Sequence, residues 1–164
     1  MREDTKILKL FYTFFLGLLL AIFIGVGINT FYEGPQAPEY PTALNSVGKN
    51  GELTPEQVAI QKQWDQDTAQ YDEAMKPYNR TVSMLALGAA VVFLAVSMVF
   101  EKRIKLMADG VMLGGLFSLI YSLARGFASD NSKYVFAMVS ISLVIVLYLG
   151  FHRFVRIDAA QKAA

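Results

Sequence analysis

The chain has 164 residues, 54% of them hydrophobic, and a formal net charge of +1. The apolar residues form long uninterrupted blocks rather than a scattered core-forming pattern, so the composition predicts an integral membrane protein. The near-neutral charge gives no reason to expect a nucleic-acid partner, and there is no cysteine from which a redox compartment could be inferred.

Four apolar blocks are long enough to cross a bilayer, whose hydrocarbon core needs about 20 helical residues. Three of them, Leu10 to Ile28, Val82 to Phe100 and Tyr134 to Phe151, contain no charged residue. The fourth lies between Asp109 and Arg125, whose backbones are about 24 Å apart if the segment is helical. Both side chains can then reach a headgroup region. We predict an all-α integral membrane protein with four transmembrane helices.

The predicted organisation alternates membrane helices with connecting segments. In chain order these are an N-terminal segment (1–7), helix 1 (8–32), an extracytoplasmic segment (33–80), helix 2 (81–101), a cytoplasmic loop (102–105), helix 3 (106–127), an extracytoplasmic loop (128–132), helix 4 (133–154) and a cytoplasmic tail (155–164). The first apolar block is longer than a signal-peptide core and runs into Asn29 and Thr30 rather than a cleavage site. We therefore expect it to be an uncleaved helix.

The positions of Lys and Arg predict the orientation, because cytoplasmic segments near membrane helices are enriched in them. With the N-terminus inside, the inner segments hold nine Lys and Arg residues in short stretches, and the outer segments hold six over a much greater length. Four spans then return the C-terminus to the inside. We expect a multi-pass protein of a bacterial plasma membrane, with the lipid bilayer as its surroundings.

The segment 33–80 is the longest polar stretch, and it is moderately acidic, with eight Asp and Glu against four Lys and Arg. Its first part, 33–53, has three prolines and three glycines, which predict a loop. Its second part, 54–79, predicts an amphipathic helix, because apolar residues recur there at intervals of three, four and seven.

The amphipathic helix has recognisable ends. Thr54 and Gln57 form a capping-box pattern around Pro55 at the first helical position. Pro77 is expected to bend or end the helix before the second span, because proline removes a backbone donor. An aromatic-rich stripe on this helix is the predicted contact with a partner, or else with the protein's own membrane bundle, and its residues are Trp64, Tyr71, Met75 and Tyr78.

Small residues recur every fourth position in two predicted spans. The rows are Gly17, Ala21 and Gly25 in helix 1, and Gly110, Gly114 and Ser118 in helix 3. Membrane helices associate through close backbone approach, which small residues permit, so we predict that helices 1 and 3 touch along these rows. Three readings remain open: packing within one chain, an interface between two copies, or a wall lining a ligand path.

Three polar residues, Asn29, Asp109 and Arg125, are predicted to lie within or at the edge of the membrane. We expect Asp109 to pair with a cation at the inner surface, from the set Lys102, Arg103, Lys105 and Arg153. We expect Arg125 to pair with Glu33, Asp130 or a lipid phosphate. A role in transport or proton relay is the alternative for both charged residues.

The sequence shows no catalytic or metal-binding pattern. The only histidine, His152, is predicted at the inner end of helix 4, too far in depth from Ser118 for a hydrogen bond of about 3 Å. Hydrolase and phosphate-binding motifs are absent. The acidic residues Asp65, Asp67, Asp72 and Glu73 predict a solvated helix face rather than a metal site. We therefore predict a protein that is not an enzyme and has no cofactor and no metal.

The leading functional hypothesis is an accessory or scaffold subunit, which uses its extracytoplasmic helix and small-residue faces for contacts in a homo-oligomer or a larger membrane complex. The alternative is an oligomeric small channel or transporter with a mildly polar path. The residues of that path would be Asn29, Ser118, Ser122, Ser140 and Ser142.

Overall fold

The structure of the protein is a computed structural model that describes residues 2–45, 54–101 and 103–162, with side chains over 5–45, 54–101 and 103–153. Its elements are α1 (Arg2–Phe31), a 3-10 turn (Thr42–Asn45), α2 (Pro55–Phe100), α3 (Lys105–Phe127) and α4 (Ser132–Lys162). Each α-helix contains a stretch long and apolar enough to cross a membrane. These four helices confirm the prediction of an all-helical chain with four apolar spans. Residues 46–53 of the predicted loop and Lys102 lie outside the described part.

The helix α3 is the centre of the bundle. It has its most extensive contact with α2, the next with α1, and a much smaller one with α4. Of the apolar stretch of α1, only 6% is buried, against 39% for α3. Most of the large side chains of α1 are therefore exposed, as expected of a helix whose solvent is lipid.

Contacts along the seams fix the helix directions. Gly17 of α1 lies against Gly114 of α3, and Gly25 lies near Tyr121, so α1 and α3 run parallel. On α4, the Arg153 guanidinium pairs with Asp109 near the start of α3, so α4 runs opposite to α3. The start of α1 and the end of the described part of α4 are therefore together at one end of the bundle, which we call the tail end.

The helix α2 runs antiparallel to α3, because Ser83 meets Ser122 while Leu94 packs on Gly115. Its buried residues on this seam are mostly small: Val82, Ser83, Ala86 and Ala90 have no exposed surface. Small side chains bring the two backbones together, which allows many dispersion contacts without a hydrophobic driving force from water.

At 46 residues, α2 is the longest helix, about 69 Å from end to end. The capping box at its start is formed, since Gln57 N–H donates to Thr54 Oγ1 and Thr54 N–H donates to Gln57 Oε1. We expected Pro77 to bend or end this helix, and it does not end there. Contacts on both sides of Pro77 hold the helix together and offset the missing backbone bond, which costs about 3 kcal/mol. We call residues 55–77 of α2 the projection.

Candidate functional site

The α1–α3 seam depends on glycine at two facing positions. A methyl group on Gly17 would lie 2.9 Å from Leu113 Cβ and 3.1 Å from the backbone nitrogen of Gly114. A methyl group on Gly114 would lie 2.9 Å from Leu20 Cβ and 3.3 Å from the Gly17 carbonyl oxygen. Real Cβ atoms essentially never come within 3.0 Å of another heavy atom, and the backbone distances are also unusually short, so a methyl group at either position would force the seam to shift.

The other members of the two small-residue rows contribute less to this seam. Gly110 lies against Leu16, whose flexible end could move away from a methyl group. Ala21 and Gly25 are half-buried, and the nearest atom to a methyl on Gly25 is on Tyr121 at 3.9 Å. Ser118 is fully buried, and its hydroxyl donates to the Gly114 carbonyl of its own helix at 2.8 Å.

A reciprocal serine pair joins α2 to α3. Ser83 Oγ donates to the Ser122 carbonyl oxygen, and Ser122 Oγ donates to the Ser83 carbonyl oxygen, both at 2.8 Å. Both residues are fully buried. A methyl on Gly126, one turn along α3, would lie 3.2 Å from Ser83 Oγ. The hydroxyls of this pair are thus satisfied inside the seam, as buried polar groups need to be.

Arg125 is at the centre of a cluster at the end of the bundle opposite the tails. Its Nη1 donates to Asn79 Oδ1 at 2.9 Å and its Nε donates to Tyr121 OH at 3.2 Å. The guanidinium carbon lies 5.9 Å from the ring centroid of Tyr78 and 5.7 Å from that of Tyr121, within the range of a cation–π interaction. We call Tyr78, Asn79, Tyr121 and Arg125 the arginine cluster.

The arginine cluster differs from the pairing predicted for Arg125. Among the described ion pairs, none includes Arg125, and Asp130 pairs with Lys76 instead. Asn79 donates in turn to the Ala128 carbonyl oxygen at 3.3 Å, so the cluster ties α2 to the turn that follows α3. A neutral amide and two aromatic rings satisfy this cation without the desolvation cost of a second buried charge.

Lys76 forms a further tie between α2 and the turn after α3. Its Nζ lies 2.8 Å from Glu73 Oε1 and 3.0 Å from Asp130 Oδ2. The hydrogen bonds to Glu73 and then to Asp130 raise the pKa of Lys76 above its usual 10.5. The stability that this contact adds is therefore fully present below that pH and is lost only as the pH rises through the raised pKa.

Two residues of the aromatic stripe of α2, Trp64 and Tyr78, are in contact with a segment of the chain itself. Tyr32 stacks on Tyr78 with ring centroids 5.2 Å apart, and Tyr40 meets Trp64 edge-on at 5.4 Å. Gln57 Nε2 donates to the Ala43 carbonyl oxygen at 2.9 Å. Tyr78 is buried and Trp64 is half-buried. We call residues 32–45, which make these contacts, the cover segment.

The remaining stripe residues and the acidic residues divide between the two faces of the projection. Tyr71 and Met75 are half-buried, on the same side as Trp64, whereas the acidic side chains on the projection are exposed. The exposed acidic residues are Glu56, Asp65, Asp67, Asp72 and Glu73. The projection thus presents an ordered and mainly acidic outer surface.

At the tail end, Asp109 is paired with Arg153 of α4. Both side chains are partly buried, at 30% and 22% exposure, so the pair lies below the surface of the bundle. Pairing of this kind removes most of the cost of holding a charge at membrane depth. The third polar residue predicted to lie in the membrane, Asn29, is exposed near the end of α1.

The residues proposed for a polar path do not share one cavity. Ser118 donates to the Gly114 carbonyl of its own helix, and Ser122 donates to the Ser83 carbonyl of α2. Ser140 donates to the Phe136 carbonyl of its own helix, and Asn29 is exposed on α1. Ser142 alone lines an apolar groove between α3 and α4. Over the residues that the structure describes, no three His, Asp or Glu side chains come close enough to hold a metal ion.

Several residues that form contacts between helices could not be predicted from the sequence. Asn79, Ser83 and Tyr121 are ordinary residues in their local sequence, and their partners lie on another helix, so no local pattern marks them. No protein-family model, no curated protein and no solved structure matches this chain. The helix contacts and the projection described above are therefore the basis for proposing a role.

Proposed function

We propose that the protein is a non-enzymatic membrane subunit that holds a rigid acidic projection outside the bilayer as a contact surface for a partner protein. One observation supports this role above the others: the projection and the second span are a single helix, α2. A partner that binds the projection therefore binds an element anchored in the membrane rather than a tethered loop.

The cover segment also supports this role. It packs on Trp64 and Tyr78 and so engages part of the aromatic stripe within the chain. The exposed surface that remains for a partner is mainly acidic. Exposed carboxylates favour a partner with a basic surface, because charge complementarity steers association. We propose this acidic surface, in place of the aromatic stripe, as the partner contact.

The proposed orientation places the tail end in the cytoplasm and the projection outside a bacterial plasma membrane. The excess of Lys and Arg in the short segments at the tail end supports it. So does the alternation of helix directions, which brings the start of α1 and the end of α4 to one side of the bundle.

A channel or transporter role has less support. The hydroxyls of Ser118 and Ser122 are engaged in bonds to backbone carbonyls, and Ser118 and Ser122 are fully buried in close helix contacts. A conducting path needs polar groups that face a shared opening. The exposed length of α1 leaves room for a second copy of the chain or for a larger membrane complex.

Site-specific photo-crosslinking tests the proposal in intact membranes. A benzophenone amino acid at Asp65 is expected to give a protein adduct, whereas the same probe at Val92, exposed on the apolar part of α2, is the lipid-facing control. The adduct mass distinguishes a second copy from another protein. The double change Asp67→Lys and Asp72→Lys should lower the Asp65 adduct severalfold, and Lys62→Glu should not.

Two results would contradict the proposed role. The first is an Asp65 adduct no stronger than the Val92 control, or one that survives the charge reversal unchanged. The second is solute or ion flux through the purified protein in proteoliposomes that is abolished by Ser118→Ala and Ser122→Ala.

A further inference from the structure

A groove opens between α1 and α4 at the tail end, because both helices pack on α3 but have little contact with each other. It has a volume of about 450 Å³ and its floor is formed by Met112, Leu113 and Leu116 of α3. Leu10 of α1 forms one wall and Val146 of α4 the other. The lining is almost entirely apolar, so the groove suits a hydrocarbon chain rather than water.

The groove continues into a basic mouth. A second cavity of about 450 Å³ shares Leu10, Thr13 and Asp109 with the groove and is also lined by Lys6, Lys9 and Lys105. The three lysines are exposed. They come from the start of α1 and the start of α3, where the charged ends of the helices give way to their apolar stretches.

The mouth has a net positive charge. Among the residues whose side chains the structure describes, Asp109 is the one carboxylate that lines the mouth, and it is already paired with Arg153. None of the ion pairs found over the described residues engages Lys6, Lys9 or Lys105. Within the described part of the chain, three ammonium groups therefore line a mouth whose carboxylate is paired with another cation. An anion at this position would compensate the positive charge of the three lysines.

An anionic headgroup on an apolar chain matches both parts of this surface. A free phosphate ion would use only the mouth, and the apolar groove would be left without a partner, which close-packed structures avoid. A neutral phospholipid would fill the groove without compensating the lysines. A bilayer lipid supplies both parts at the correct depth, since its phosphate lies where its acyl chains begin.

We propose that one anionic glycerophospholipid binds between α1 and α4, with its phosphate at Lys6, Lys9 and Lys105 and one acyl chain in the groove over Leu116. The lipid would bridge two helices that the protein itself leaves apart. The proposal is independent of the role of the projection, which lies at the other end of α2.

Native mass spectrometry of the detergent-solubilised protein tests the lipid site, with phosphatidylglycerol and phosphatidylcholine of identical acyl chains as probes. We expect a one-to-one phosphatidylglycerol adduct that is at least about tenfold tighter than the phosphatidylcholine adduct. Lys9→Gln with Lys105→Gln should weaken it by about tenfold or more. The control pair Lys62→Gln and Lys133→Gln removes the same charge elsewhere and should leave it unchanged.

A second pair of variants tests the groove separately from the charges. Val146→Trp fills the groove from an exposed position on α4 and should prevent lipid retention, whereas Leu147→Trp, exposed next to it, should not. The proposal is overturned if the two lipids bind equally, or if Val146→Trp has no effect. It is also overturned if inorganic phosphate displaces the lipid completely, or if the protein is a lipid-free dimer.

Discussion

At the residue scale, the geometry of the serine pair in the α2–α3 seam predicts how the effects of two mutations on stability combine. Each hydroxyl donates to the partner's backbone carbonyl, and the two hydroxyl oxygens are 3.5 Å apart. Removing one side chain therefore leaves the other hydrogen bond with its acceptor in place. Adjacent residues usually couple strongly in double-mutant cycles, but these two should not.

We predict that Ser83→Ala and Ser122→Ala each destabilise the protein by about 0.6 kcal/mol, and by no more than about 1.7 kcal/mol. The double mutant should lose the sum, within about 0.5 kcal/mol. The free energy of unfolding in mixed micelles measures this. Ser140→Ala is the control, because its hydroxyl bonds only within its own helix. A coupling energy above about 0.5 kcal/mol, by the same measurement, would contradict the independent bonds.

The partner of Arg125 shows where residue-level prediction stops. Carboxylates at Glu33 and Asp130 were reasonable candidates by charge, but the side chain meets the neutral amide of Asn79, 46 positions earlier in the chain. Nothing in the sequence near either residue encodes that approach, because it depends on how α2 is rotated against α3. Asp130 meets Lys76 for the same reason.

At the element scale, the capping box of α2 is readable from the sequence because Thr54, Pro55 and Gln57 are adjacent in the chain. The continuity of α2 through Pro77 cannot be predicted from the local sequence, because it depends on contacts with distant parts of the chain. Before the proline, Trp64 packs on Tyr40, and after it Ser83 bonds to Ser122. Local helix propensity alone favours a break at this position.

We predict that α2 is a single rod in the membrane. Spin labels on cysteines introduced at Gln66 and Val92, both exposed, should give one narrow distance distribution near 39 Å between their backbones. The chain has no native cysteine, so labels attach only at the introduced sites. A broad distribution, or a mean shorter by more than 10 Å, would show that the helix breaks at Pro77.

The packing of α1 on α3 gives a second element-scale prediction. Gly17→Ala places a methyl group against the backbone of α3 and should cost about 1–3 kcal/mol, the usual range for overpacking. Gly27→Ala is the matched control on the same helix, because nothing lies within 4 Å of its added methyl. It should be neutral or stabilising by less than about 1 kcal/mol. Thermal denaturation in detergent compares the two, and equal midpoints would argue against the close seam.

At the scale of the whole molecule, hydrophobic block lengths are sufficient to predict four apolar helices, because each block reports directly on the thickness of a bilayer. Block lengths do not predict which helices pack against each other. That α3 is central, and α4 peripheral, depends on which faces carry small residues and how they rotate together. The glycine rows of α1 and α3 indicate one seam, whereas the small residues Ser83, Ala86 and Ala90 of α2 do not show from the sequence alone which helix they contact.

We predict that both tails are on the same side of the membrane and that the projection is on the other. In intact cells, an impermeant maleimide should label a cysteine introduced at Gln66, while epitope tags on both termini should become accessible only after permeabilisation. The alternating helix directions put both tails on one side, and the excess of Lys and Arg there predicts that this side is the cytoplasm. Exposure of either tag in sealed cells would refute it.

The unbroken α2 also has a mechanical consequence. Because α2 continues through Pro77, we expect it to transmit tilt and torque, so that a load applied near Trp64 reaches the contact between Leu94 and Gly115. The arginine cluster is close to where the rod enters the bundle and would act as its fulcrum. If a partner binds the projection as proposed, we expect the buried half of α2 to move against α3.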